Sequence, residues 1–101
     1  MIFVALMLAA SAPADPVLKA RQGYAGCLTT FTNDAIDKKM AKDAFVAGLK
    51  SKCADKEAPF RDALVAADKA DGMSEADATG DANDQIAEYI AKMTDDFDSA
   101  R

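Results

Sequence analysis

Apolar residues recur along most of this chain at intervals of three and four positions, and this spacing constrains the fold more than any other feature of the sequence. The interval matches the period of an α-helix that buries one face. No stretch alternates between apolar and polar residues for long enough to form a β-strand. We therefore predict an all-α fold with three amphipathic helices. Their apolar positions are Val17, Ala20, Tyr24, Cys27, Leu28 and Phe31; Phe45, Leu49, Cys53, Phe60, Leu64 and Ala67; and Ile86, Tyr89, Ile90, Met93 and Phe97.

Residues that commonly start and end helices mark the predicted boundaries. Asp15 followed by Pro16 predicts the start of the first helix, with an N-cap and then a proline at the first helical position. The polar stretch TNDAIDKKMAKD separates the first two helices. Gly72 predicts the end of the second helix, and Ser74 with Asp77 predicts a capping box at the start of the third.

Pro59 lies inside the second predicted helix, in the sequence KEAPFRD. Proline removes one helical hydrogen bond and crowds the preceding turn. Ala58 would be a poor N-cap for a new helix, so we predict a kink at Pro59 rather than a break. The predicted architecture is a small three-helix bundle, formed by an antiparallel helical hairpin and a third amphipathic helix.

Residues 1–14 have the pattern of a signal peptide. Their apolar run is too short to span a bilayer, which requires ~20 apolar residues. Small residues follow, and an A-x-A cleavage pattern ends at Ala12 and again at Ala14. We predict cleavage after Ala14, because a cut after Ala12 would place Pro13 directly behind the scissile bond. No lysine or arginine precedes the run, and a retained N-terminal core helix is the alternative. The mature chain, residues 15–101, would form a single domain.

Cys27 and Cys53 are the only cysteines, and both occupy apolar helical positions. A catalytic thiol would need a histidine partner, and the chain contains no histidine. A zinc site needs about four ligands and a thioredoxin-type site needs C-x-x-C, so the two cysteines fit neither. In an oxidising compartment, two cysteines in a small domain normally pair. We predict a structural disulfide between them, with a buried pair of free thiols as the alternative if the protein is not exported.

The positions of the two cysteines also fit a helical hairpin. They are equidistant from residue 40 in the polar connection, so they would lie at the same height on two antiparallel helices. A disulfide needs Cα atoms within ~7 Å of each other, whereas helix axes normally lie about 8–10 Å apart. We expect Gly23 and Gly26, beside the first cysteine, to permit this closer approach.

The chain is acidic, with a formal charge of −5 at pH 7, and the acidic residues concentrate in its second half. This charge argues against nucleic acid as a partner. One interpretation of the acidic third helix is a solvated face that confers solubility, and the other is a surface that docks a basic or cationic partner. No loop has the ligand spacing of an EF-hand, so we predict no metal site. The carboxylates that share this face are Asp77, Asp81, Asp84 and Glu88.

Catalytic motifs are absent from the sequence. It has no histidine, no glycine-rich phosphate loop, no G-x-S-x-G turn and no C-x-x-C-H haem-attachment sequence. A small helical bundle also offers little cleft for a pair of catalytic carboxylates. We therefore predict that the protein is not an enzyme and has no catalytic residue and no cofactor.

The arrangement KARQGYAGCLTTFTN, a cysteine 26 positions after the first, and then FRDALVAADKADG resembles small exported bacterial proteins of unknown function. The resemblance covers nearly the whole predicted mature chain, and its motifs are structural. In its acidic, helical, single-disulfide design the chain is also similar to periplasmic acid-stress chaperones and to small immunity or inhibitor proteins.

These observations together predict a periplasmic or secreted, non-catalytic binding or stress-related module of the bacterial envelope. Its partner would be a protein or a cationic ligand, without nucleic acid and without stable membrane insertion after cleavage. The alternative is an immunity-type or inhibitor protein that blocks a single partner, and an enzyme or a loose binder of divalent cations comes third.

Overall fold

The computed structural model describes residues 16–100, and the predicted signal peptide with its cleavage site lies outside this range. Between residues 16 and 100 the chain forms four α-helices and no β-strand, which confirms the prediction of an all-α fold for this part of the chain. The helices are α1 (Pro16–Asp37), α2 (Lys42–Lys52), α3 (Ala54–Ala70) and α4 (Glu75–Ser99).

The helices pack so that α2 and α3 together run antiparallel to both α1 and α4. The start of α2 meets the end of α4, where Lys42 Nζ lies 2.8 Å from Asp98 Oδ2. The end of α3 meets the start of α4, where Lys69 Nζ lies 2.6 Å from Glu75 Oε1. Because α3 also packs along α1, the core is enclosed by α1, by α4 and by the consecutive helices α2 and α3.

The predicted second helix is two helices, and the prediction of a single helix kinked at Pro59 is wrong. Cys53 lies between α2 and α3 with φ −105° and ψ 10°, and its carbonyl accepts the first hydrogen bonds of α3, from Lys56 and Glu57. Pro59 lies inside α3. The break falls at the residue that the disulfide joins to α1, where the Cα atoms of Cys27 and Cys53 lie 5.8 Å apart.

The predicted polar connection TNDAIDKKMAKD is mostly helical, and the prediction that all of it separates two helices is wrong. Residues 32–37 belong to α1, where Thr32 and Ala35 are buried, and residues 42 and 43 belong to α2, so the turn consists of residues 38–41.

The remaining predicted boundaries agree with the structure. α1 begins at Pro16, although its expected cap, Asp15, lies outside the described residues. Gly72 follows α3 with φ 100°, a left-handed conformation that suits glycine. Ser74 caps α4, because its Oγ accepts a hydrogen bond from the Asp77 backbone N–H at 3.1 Å.

Two aromatic clusters occupy the core. Where α1, α3 and α4 meet, the Tyr24 ring lies 5.5 Å from that of Phe60 and 5.7 Å from that of Tyr89, centroid to centroid. Where α1, α2 and α4 meet, Phe45 stacks on Phe97 with centroids 4.1 Å apart. These aromatic residues come from the apolar positions that the sequence spacing predicted. The spacing did not predict the small buried residues Ala35, Ala78 and Ala82.

Close approach between helices depends on Gly48 in α2. A Cβ atom at this position would lie 2.6 Å from Cζ of Phe31 in α1. A Cβ atom at Gly26 would have no atom within 4 Å, and one at Gly23 would meet only the Lys56 side chain at 4.0 Å. The expectation that Gly23 and Gly26 make room for the disulfide is therefore wrong, since a side chain fits at both.

Candidate binding surfaces

The two cysteines form a disulfide, as predicted. Cys27 in α1 and Cys53 at the junction of α2 and α3 have Cα atoms 5.8 Å apart, and their sulfur atoms are bonded. Cys53 is buried, and Cys27 is half-buried. Residues 16–100 contain no free cysteine, so thiol chemistry requires reduction of this bond.

The four carboxylates predicted to share one face of α4 have different surroundings. Asp77, Asp84 and Glu88 are exposed, and the structure shows no salt bridge to them from any residue of 16–100. Asp81 is half-buried, and its Oδ2 accepts a hydrogen bond from Gln85 Nε2 at 3.2 Å. The solvent-facing acidic surface therefore consists of three carboxylates, because Asp81 takes part in contacts within the bundle.

Asp81 also faces a second carboxyl group across the contact of α3 and α4. The pKa of Asp68 in α3 is raised, first by a hydrogen bond shared with Asp81, then by burial, and then by repulsion from Asp81 and Asp71. Asp68 Oδ2 is buried without a hydrogen-bond partner. Two facing carboxyl groups can form a hydrogen bond only when one of them is protonated, so this pair favours uptake of a proton.

Metal ligands are not gathered among the described residues. Between residues 16 and 100, no three acidic or sulfur-bearing side chains come together as a metal site would require.

Glu57 in α3 lies at the centre of a hydrogen-bonded cluster of side chains that the sequence patterns did not reveal. Glu57 Oε1 accepts a hydrogen bond from the Tyr24 hydroxyl at 3.3 Å, and Glu57 Oε2 accepts one from Arg61 Nη1 at 3.0 Å. Arg61 also donates from Nε to Asn83 Oδ1 of α4 at 3.1 Å. Burial and the nearby Glu57 carboxylate raise the pKa of Tyr24, so its hydroxyl stays protonated and acts as a donor.

Arg21 in α1 contacts two other rings of the aromatic cluster that contains Tyr24, those of Phe60 and Tyr89. Its Nη1 donates to the Tyr89 hydroxyl and its Nη2 donates to Gln85 Oε1, each at 3.2 Å. Its guanidinium carbon lies 5.0 Å from the centre of the Phe60 ring, within the range of a cation–π contact. Because Gln85 also donates to Asp81, this arginine connects the aromatic core to the carboxyl group of Asp81.

An open groove runs between α3 and α4 beside the last turn of α2, with a volume of about 560 Å³. Ile86 and Ile90 form its floor, and Lys50, Glu57 and Arg61 contribute charge along one rim. We call this surface the α3–α4 groove. Its remaining lining residues are small or uncharged: Ala54, Asn83, Ala87 and Ala91.

The sequence holds one signal that points to this groove. Asn83, Ala87 and Ala91 follow each other at intervals of four on α4, so they form an uncharged stripe on a strongly acidic helix. The groove itself could not be predicted, because its lining residues come from three different helices. Another cavity, of about 380 Å³, lies near the end of α4, where Ile36, Met40 and Phe97 meet Lys39.

Comparison of the chain with protein-family models, with curated proteins and with solved structures found no match. None of the helices within residues 16–100 combines the length and the apolar character needed to cross a bilayer.

Proposed function

We propose that this protein is a non-catalytic binding module that is exported to the bacterial envelope and acts in the periplasm or after secretion. The observation that supports this most is the α3–α4 groove, which combines an apolar floor with a charged rim, as protein-binding surfaces do. The disulfide adds support for export, since such bonds persist in oxidising compartments. A stress-related role, such as the temporary protection of other proteins, falls within this proposal.

The fixed geometry of the groove rim favours a second candidate, an immunity-type or inhibitor protein that blocks a single partner. Arg61 is held at 3.0 Å by Glu57 and at 3.1 Å by Asn83, so its position is set before any partner arrives. Preorganised groups lose less conformational entropy on binding, which suits one partner of matching shape. A chaperone would instead need a groove that adapts to many partners.

The acidic side of α4 is the alternative binding surface. Asp77, Asp84 and Glu88 are exposed, and a basic or cationic partner bound there would lose affinity as salt rises. The reason is that exposed charges are screened beyond ~10 Å at 0.1 M salt. If these carboxylates confer only solubility, their neutralisation will leave binding unchanged.

The test is affinity capture from an envelope extract with the mature, oxidised protein as bait. We expect Ala87→Arg to abolish recovery of the partner, because the arginine would fill the groove at an exposed position without disturbing the core. Ala47→Arg, on the exposed side of α2, is the matched control and should recover the same partner. The proposal that the groove binds the partner fails if Ala87→Arg recovers it equally well.

Two further measurements separate the remaining alternatives. A bait in which Asp77, Asp84 and Glu88 are changed to their amides tests the acidic surface, which is the site only if this bait loses the partner. The intact mass of the exported protein tests processing. We expect a chain that begins at Asp15, and a mass that includes Met1 would contradict export through the predicted signal peptide.

A further inference from the structure

The α3–α4 groove has the dimensions of a docking site for one helix. Its α4 wall extends from Asn83 to Ala91, which corresponds to ~12 Å, or about two helical turns. Ala54, Ala87 and Ala91 are exposed along the walls and carry only a methyl group. Small side chains of this kind allow the backbone of a second helix to approach closely.

The floor of the groove is formed by two apolar residues with helical spacing. Ile86 and Ile90 are four residues apart on α4, and their side chains point to the same side of the helix. Ile86 is buried, with 6% of its surface exposed, whereas Ile90 is half-buried, so Ile90 supplies most of the apolar surface that a partner could contact at the floor. A helix lying in the groove would cover these positions with apolar residues of its own at the same spacing.

The charges at the rim indicate what the partner helix carries. Arg61 is already paired with Glu57. Lys50 is exposed at the end of α2, and the structure gives it no salt bridge to any residue of 16–100. The α4 wall bears no charge, so Lys50 is the unpaired charge of the groove, and a carboxylate of the partner would complement it.

The open shape of the groove distinguishes a helix from a free acyl chain. Sites for small apolar ligands bury most of the ligand surface. Here Ala54, Ala87 and Ala91 are all exposed, so an acyl chain would remain in contact with water along its length. An amphipathic helix buries only one face and keeps the other face solvated, which suits an open groove.

We propose that the α3–α4 groove binds an amphipathic helix of a partner protein, with apolar residues at i, i+3 or i+4, and i+7 against Ile86 and Ile90, and with an acidic residue opposite Lys50. This inference rests on the proposed binding function, whose partner it defines by class. It does not depend on where in the cell the partner is met.

The test is to pan a displayed library of random 16-residue peptides against the mature, oxidised protein. We expect enriched peptides with the apolar spacing of an amphipathic helix and with at least one acidic residue, and we expect Ala87→Arg not to retain them. Binders without a helical pattern, or binders retained equally by Ala87→Arg, would overturn the inference. Binding of decanoate with displacement of the peptides would overturn it in favour of an acyl chain.

A charge exchange tests the role of Lys50 separately. Lys50→Glu should weaken the enriched peptide about fivefold, the scale of one exposed ion pair, and a peptide with lysine in place of its acidic residue should restore binding. Lys52→Glu makes the same change in net charge outside the groove and should leave affinity unchanged. Equal loss in both variants would refute the contact with Lys50.

Failure of this inference can be told apart from failure of the proposed function. If envelope capture recovers a partner that Ala87→Arg loses while the library yields no helical binders, the groove binds its partner in another conformation. The binding function would then stand, and the helical partner would be rejected.

Discussion

Lys39 follows the end of α1 and has a backbone conformation that residues other than glycine rarely adopt. Its φ is 54°, and its N–H donates to the Ile36 carbonyl at 3.1 Å. The next N–H, of Met40, donates to the Ala35 carbonyl at 3.0 Å, which completes a Schellman motif. Gly72 occupies the equivalent position after α3, so the two helix ends differ in having a lysine and a glycine at the left-handed position.

Replacing Lys39 by glycine should therefore stabilise the protein. We expect Lys39→Gly to raise the free energy of unfolding by ~1 kcal/mol, because glycine adopts positive φ without steric conflict. Gly72→Ala is the reciprocal control and should lower the same free energy by a similar amount. Denaturant titration followed by circular dichroism measures both changes, and a Lys39→Gly variant less stable than the parent would contradict this account.

The facing carboxyl groups of Asp68 and Asp81 should make stability depend on pH. The pKa of Asp68 is raised in the folded protein, so the folded state holds a proton more tightly than the unfolded state does. Stability contributed by this proton is present at acidic pH and is lost as pH rises through the raised pKa. Asp71 adds repulsion to the ionised pair, whereas Gln85 donates to Asp81 and reduces it.

Asp68→Asn tests this dependence. An amide can donate to Asp81 at every pH, so we expect the variant to be more stable than the parent at pH 7 and to lose that advantage as pH falls into the ordinary aspartate range. Urea titrations at several pH values measure the difference. Asp62→Asn, on the exposed side of the same helix, is the control, and a constant advantage for Asp68→Asn would refute the shared proton.

At the scale of helices, the approach of α1 to α2 depends on the absence of a side chain at Gly48. Gly48→Ala should lower the free energy of unfolding by ~1–3 kcal/mol, because its Cβ would overlap the Phe31 ring, which stacks on Phe45. Gly26→Ala is the matched control in α1. We expect it to be neutral or stabilising, since space is open there and alanine favours helix. Thermal unfolding of both variants measures the contrast, and equal effects would contradict it.

Local sequence information was sufficient to predict several of these helical features. The apolar spacing identified the aromatic core residues. Ser74 marked the start of α4 and Gly72 marked the end of α3, because helix caps depend on residues that are close in the sequence. The break at Cys53 could not be predicted in this way. It falls at the residue that is cross-linked to α1, and Pro59, the nearest local signal, lies inside the helix that follows.

The same limit applies to the candidate binding surfaces. Spacing placed Asp77, Asp81, Asp84 and Glu88 on one side of α4, but Asp81 faces Asp68, and only the packing of α3 reveals this. The importance of Gly48 depends likewise on a phenylalanine of another helix. The α3–α4 groove has three helices around it, so no single segment of sequence contains it.

At the scale of the whole molecule, the disulfide is expected to supply much of the stability. It closes a loop with a sequence separation of 26, and a crosslink of this size contributes ~3–4 kcal/mol in the chain-entropy model. We expect Cys53→Ser to lower the free energy of unfolding by ~2–5 kcal/mol. The reduced parent protein is the matched comparison. Denaturant titration should show that Cys53→Ser and the reduced parent lose similar amounts of unfolding free energy relative to the oxidised parent. A variant as stable as the oxidised parent would contradict this expectation.

The loop closed by Cys27 and Cys53 also contains the exposed, lysine-bearing turn between α1 and α2. A protease such as trypsin that cut this turn after Lys38 or Lys39 would open the polypeptide without separating its parts. The two pieces would stay covalently joined through the sulfur atoms and would still share the stacked rings of Phe31 and Phe45. The nicked molecule would therefore migrate as one species on a non-reducing gel and divide into two only after addition of a thiol.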